Sequence, residues 1–511
     1  MRKKLLSRIL TVLAAIALAA VFPAGCAAPK APDTPYDLEI QMWKSGVGSD
    51  YVKKINEEFR KAHPEITIHL TETASMAAMA PLADTRDNTV DLYFTAYAGF
   101  LAYKQWLEPL GDVAAARPDG EGKATIGEKF GGLIDLLMPP DAEGNLYTLP
   151  YAATVNGIAY NADVFAQKGY KPPRTTDELQ DLCDDMISDR YTPFIYFHEY
   201  WQYLFSPWIA QLEGLDRYYE LFESIYTDEN GVKHPNDLRA ARDYAPGSGR
   251  YESLKVLREL LGRKDNSYYG ASTMSHTVSQ TYFLNGAALM LPNGSWMENE
   301  MKDVSTAQRL NAGMMKVPVI SALGKKLGIT ETQLRAAVAL ADGEATAQET
   351  AVADALTEGQ REAVRTARQM LSSQSTGLTA LIPNYSNAKA AAKEYLKFYY
   401  SDQGMKIMAE TTHMPLPLTL SADVPIDRSS WSNFSKDCYR LSQEMTLIHE
   451  VLRSKIQYSG GVHRWFYNAN VAQLFAYSQN TADMYELDAF IKLQQDNWTN
   501  YWPVVMDAIG S

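Results

Sequence analysis

The chain has 511 residues, 46% hydrophobic and 21% charged, which is a globular composition with length enough for two or more cores. Its formal net charge of −13 argues against a nucleic-acid partner, which demands basic patches. The 31 tyrosines and 9 tryptophans suit sugar or peptide binding, although aromatic-rich cores are their commoner use. The chain starts with a basic segment, Arg2-Lys3-Lys4 and Arg8, followed by an apolar run from Ile9 to Val21. That run falls short of the ~20 residues a membrane helix needs and reads as a secretory signal. Removing residues 1–25 strips four basic and no acidic side chains, taking the net charge from −13 to −17.

Small residues then precede a cysteine in Pro23-Ala24-Gly25-Cys26, which resembles the lipobox of bacterial lipoproteins, with Pro23 where that motif usually has Leu. The resemblance implies a lipidated Cys26, hence a membrane anchor, with residues 26–36 as a Pro- and Ala-rich tether. Leu38 to Met42 alternates as a strand and delivers Trp43 to a glycine-containing loop. Ser49 or Asp50 caps the next helix, with Val52, Ile55, Phe59 and Ala62 on one face, and His63-Pro64 stops it. Ile66 to Leu70 and Asp91 to Phe94 read as further strands, and Gly99 to Leu107 as a helix. Strands alternating with helices call for a mostly parallel sheet. In such sheets ligands sit beyond the carboxyl ends of the strands, where Trp43, Glu72 and Tyr97 fall.

Leu146 to Tyr151 reads as extended, Thr154 to Tyr160 as a strand, and Asn161 as the start of a helix that Gly169 ends. Thr175 to Glu178 supplies a cap and early acidic residues for another helix. Tyr191 to Phe197 reads as a buried strand, Tyr203 to Leu212 as a helix, and Asn230-Gly231 as a hairpin turn. Met314 to Ile320 reads as a return crossing. An Ala-, Glu-, Gln- and Arg-rich stretch of two helices follows, to about Met370. Residues 379–383 form a strand, Asn387 to Tyr400 a helix, and Leu487 to Trp502 a helix ending the chain. Cys183 and Cys438 could bridge outside the cytoplasm or stay as two buried thiols, and neither has metal-ligand spacing.

Two stretches resemble the extracellular solute-binding proteins of sugar-type ABC importers. The first combines Gly144, Tyr147, Leu149-Pro150-Tyr151, Tyr160-Asn161, Asp163, Phe165, Gly169, Pro172-Pro173, Thr175 and Glu178-Leu179. The second runs Phe283, Gly286, Ala288, Met290, Gly294-Ser295-Trp296. The resemblance implies a class II periplasmic-binding-protein-like α/β fold: two lobes, an interlobe cleft and here a helical insertion at about 325–372. Residues 37–150 and 318–415 would build the first lobe, and 151–317 and 416–511 the second. Crossings would lie near Leu149–Ala153, Lys316–Val319 and Met414–Leu418. Ligand contacts would come from Trp43, Glu72, Tyr97, Tyr151, Tyr200, Trp201, Trp296 and Trp465, each of which has lobe packing or solvation as its alternative.

The chemistry fits the residues. A pyranose has an apolar face for aromatic rings and a hydroxyl rim for amides and carboxylates. The implied partners are a sugar, an ABC permease and the membrane, with a monomeric chain, no cofactor and no metal. Catalytic motifs such as His-Glu-x-x-His, Gly-x-Ser-x-Gly and the phosphate-binding loop are missing from the sequence. A peptide or glycerol-phosphate-type ligand, and a sensory or adhesion role on the same fold, stay open.

Overall fold

The computed structural model describes residues 36–44, 46–74, 89–96, 104–137, 145–304, 310–449 and 486–510. Within them the strands are β1 (Asp37–Trp43), β2 (Thr67–Thr73), β3 (Leu92–Ala96), β4 (Leu149–Pro150), β5 (Asn156–Asn161), β6 (Tyr226–Thr227), β7 (Lys233–His234), β8 (Met290–Gly294), β9 (Ala312–Met315), β10 (Met370–Ser373), β11 (Leu378–Leu381) and β12 (Thr446–His449). One sheet has the order β2-β1-β3-β11-β4, and a second the order β12-β10-β5-β8 with β9 also on β5. β6 and β7 form the hairpin that Asn230-Gly231 predicts.

The first sheet is nearly the expected parallel one. β2 and β3 run parallel to β1, and only β11 is reversed against its neighbours. Leu38, Ile40 and Met42 are buried in alternation with half-buried neighbours on β1. The Asp50–Ala62 helix buries Val52, Ile55 and Phe59, whereas Ala62 is exposed at its end. Much of the tyrosine excess is spent here. Tyr395, Tyr399 and Tyr400 are fully buried, with Tyr395 edge-on to Phe59 and Tyr400 edge-on to Phe130.

The second lobe starts as its local chemistry dictates. The Asn161 side chain accepts from Val164 N and caps the Ala162–Lys168 helix, which Gly169 ends at φ 75°. Thr175 caps the Thr176–Ser188 helix in the same way. Residues 191–197 are extended beside β8, with Ile195 N bonded to Met290 O, but join the sheet only through one isolated bridge, from Phe194 to Met290. Cys183 and Cys438 are both free and buried, so the open question of their pairing closes on two thiols.

The first crossing lies between β4 and β5. The second lies later than Lys316–Val319. β9 pairs with β5, so Met314 and Met315 belong to the second sheet, and residues 316–319 stay with it. Arg368 donates to Val317 O, Trp208 to Pro318 O, and Val319 exchanges backbone bonds with Arg174 and Thr176. The chain returns only at 374–377, between β10 and β11. The helical insertion is therefore second-lobe material. From Ile329 to Met370 it holds three helices, Glu331–Ala341, Ala347–Asp354 and Glu358–Arg368, where two were expected, and the short Ala322–Leu327 helix precedes them. Met370, read as the end of a helix, opens β10.

The last crossing is also later than Met414–Leu418. Thr419 N still bonds Lys129 O, and Lys123 pairs with Asp423, both in the first lobe. By Ser432, which donates to Glu298, the chain has reached the second. The Leu487–Gly510 helix continues past the expected Trp502. Cys26, the signal, most of the tether, Tyr97, Trp465 and most of the predicted 99–107 helix lie outside the described residues.

Candidate functional site

Trp296 is the centre of the seam between the lobes. β8 ends at Gly294, Ser295 N bonds Val155 O, and Val155 N bonds Ser295 Oγ, so the residue before the indole is stitched to the first crossing. The Trp296 ring lies against Gly294, where a Cβ would overlap its six-membered portion. Its other end is covered by the first lobe. A Cβ on Gly46 would come within 2.6 Å of the indole Cδ1. Tyr200 and Tyr203 both stand edge-on to it at 5.8 Å. The ring is 8% exposed, and the cleft is closed on it.

Polar contacts fasten the same seam. Asn299 donates to Gly46 O at 2.6 Å, and Lys302 pairs with Asp50 at 2.6 Å. Tyr203 Oη donates to Gln374 Oε1 at 3.1 Å, joining a second-lobe helix to the second crossing. Burial pushes the Tyr200 phenol above its ordinary range, so it stays a neutral donor.

Trp43 ends β1 half-buried against the first core. Glu72 lies across the β1–β2 ladder, opposite Met42. Its Oε1 accepts from Ser49 Oγ at 2.8 Å and from Lys53 Nζ at 2.7 Å. Those bonds, Lys53 first and then Ser49, hold its carboxyl below the usual range. Glu72 thus braces the start of the Asp50–Ala62 helix.

Two expected ligand residues are packed away. Trp201 is 1% exposed, edge-on to Phe194 and Tyr196, and Tyr151 is 0% exposed against Phe94. Each of these rings packs within the core of one lobe, and neither stands against Trp296 as Tyr200 and Tyr203 do. Tyr97 and Trp465 lie outside the described residues. The structure therefore brings Tyr200 and Trp296 together and adds Gly46, Tyr203 and Gln374, which sequence reasoning missed. Tyr203 was signalled only by its spacing, one helical turn after Tyr200.

A cavity of about 660 Å³ opens elsewhere in the second lobe, beside Tyr226, Arg239, Tyr244 and Lys492, and none of its lining residues belongs to the seam. Among the described residues no group of three His, Cys, Asp or Glu side chains could hold a metal ion. Among the same residues no helix is long and apolar enough to cross a membrane.

Two sheets joined by crossing segments, with an aromatic seam between them, define a two-lobed binding protein. Residues 44–406 match the model of the bacterial extracellular solute-binding proteins, and the chain belongs to that family. A diacetylchitobiose-binding protein, NgcE, of Streptomyces coelicolor is 25% identical over 53% of this chain and 55% of its own length. A multiple sugar-binding protein of Streptococcus mutans is 24% identical over 56% of this chain and 64% of its own. The chain thus spans about half to two-thirds of these curated relatives. Ligand-free RafE from Streptococcus pneumoniae has the same fold, with a TM-score of 0.57 at 14% identity, over 91% of this chain and 100% of that one.

Proposed function

We propose that the chain is the capture subunit of an ABC importer, closing two lobes on an oligosaccharide and presenting it to a membrane permease. It acts as a binder rather than an enzyme, as a monomer held at the outer face of the membrane through a lipidated Cys26. The observation that carries this reading is the aromatic seam, where Trp296, Tyr200 and Tyr203 of one lobe meet Gly46 of the other. Rings of this kind match the apolar face of a pyranose, while the neighbouring amides of Asn299 and Gln374 suit its hydroxyls. The sugar-binding relatives support the same ligand class.

Capture works by differential affinity. A sugar that touches both lobes only when they close on it shifts the open–closed equilibrium by that difference. The test is a thermal-shift screen of the purified chain against oligosaccharides and short peptides. A cognate sugar at 100 times its dissociation constant should add about 2.7 kcal/mol of stability. Trp296→Ala should abolish that shift while the variant stays folded. A variant that responds like the wild-type chain would remove Trp296 from the site, and a response to peptides alone would replace the sugar.

A further inference from the structure

Asn156 is the first residue of β5 and is 0% exposed, yet neither Oδ1 nor Nδ2 of its carboxamide has a hydrogen-bond partner. A side-chain amide has two donor hydrogens and two acceptor lone pairs, and burying it unpaired is costly. Such a group calls for an explanation.

The sheet shows what lies next to it. Asn156 pairs with Gly294 on β8 and with Ser372 on β10. Directly opposed residues project to one face of a sheet. On that face the space a Gly294 Cβ would fill holds the Trp296 ring. The unpaired amide and the indole thus occupy the same face of the second sheet. They sit at the edge where the chain has just crossed from the first lobe.

We propose that Asn156 is a ligand-binding residue of the interlobe site. Its carboxamide hydrogen-bonds the hydroxyl rim of the sugar while Trp296 packs on the apolar face. The assignment rests on the reading of the chain as a sugar receptor. A carboxamide can accept from one hydroxyl and donate to its neighbour, so it matches a vicinal diol and reads its configuration. With the lobes together the indole covers this face, pinned by Gly46 from the other lobe. Separating the lobes withdraws Gly46, frees the ring and uncovers the amide. Asn156 itself stays fixed by strands on both sides, so little ordering is lost when the sugar arrives.

The test is calorimetric titration of the full chain with oligosaccharides of the gluco, galacto, xylo and N-acetylglucosamine series, beside urea unfolding without ligand. In Asn156→Ala the tightest wild-type sugar should lose about 10- to 100-fold in affinity, as expected for lost hydrogen bonds. Its ligand-free urea midpoint should hold or rise, because the deleted group gives up no bond. Asn156→Ser, which keeps one hydroxyl, should recover part of the affinity and serves on the same scale should the alanine variant not fold. Unchanged affinity would overturn the assignment and leave the sugar reading standing. A lower urea midpoint in both variants would mark a structural amide and overturn it too. A wild-type chain that binds none of these sugars would remove the sugar reading and this assignment together.

Discussion

Gly46 contributes to the seam by having no side chain. Its backbone lets the first lobe approach the Trp296 indole, while its carbonyl accepts from Asn299. Gly46→Ala places a methyl group 2.6 Å from the indole Cδ1, too close to fit unless something shifts, and backbone strain plays no part because Gly46 is not among the positive-φ glycines. Overpacking of this kind costs typically about 1–3 kcal/mol, and separating the lobes relieves it. The expected outcome is a chain that stays folded but is more open, with a larger radius of gyration in solution scattering. A variant with wild-type dimensions and stability would show that Gly46 does not gate the seam. Trp296 was legible in the sequence because its Gly-Ser-Trp context is a local pattern. Gly46 was not, because its role depends on a residue 250 positions away.

Capping largely governs the helices, and capping is written locally. Asn161 and Thr175 start their helices as read from the sequence. The insertion holds the same kind of signal, which two-helix periodicity overlooked. Thr330 with Gln333, Thr346 with Glu349, and Thr357 with Gln360 each form a capping box. Sheet membership is different. Residues 314–320 look like a crossing because they are apolar and contain proline, and only pairing with β5 reveals that they stay in the second lobe. The insertion is held there by a buried charge cluster. Asp342 accepts from Arg368 at 2.9 Å and from Lys316 at 2.8 Å, and its side chain is 7% exposed. Burial pushes its carboxyl up, but Arg368 and Lys316 outweigh that and set it below the usual range. A depressed folded value means the stabilisation is complete above the unfolded value near 3.9 and is lost as pH falls through the folded one. Asp342→Asn should therefore cost about 3–5 kcal/mol in urea unfolding at pH 7, because it leaves the buried Arg368 and the half-buried Lys316 without their carboxylate. The gap to the wild-type chain should narrow below about pH 4. A penalty independent of pH would assign the loss to packing instead.

At the scale of the molecule, each lobe has its own core, and the cysteines report on one of them. Cys183 and Cys438 both lie in the second-lobe cluster, and burial raises both thiols. Neither should react with Ellman's reagent in the folded chain, with or without sugar, and both should react in denaturant. Rapid modification of either thiol under native conditions would contradict the packing around it. The two adjoining crossings carry a further consequence. They are bonded to each other: Tyr151 N to Leu378 O, Thr154 N to Ser375 Oγ, and Gln374 N to Thr154 Oγ1. Two ribbons laced side by side cannot twist independently. Rotation about one must be shared by the other, so the halves swing like the covers of a bound book and cannot slide past each other. The faces that meet after each swing are then the same ones, so a ligand held between them would meet its partners in the same register every time.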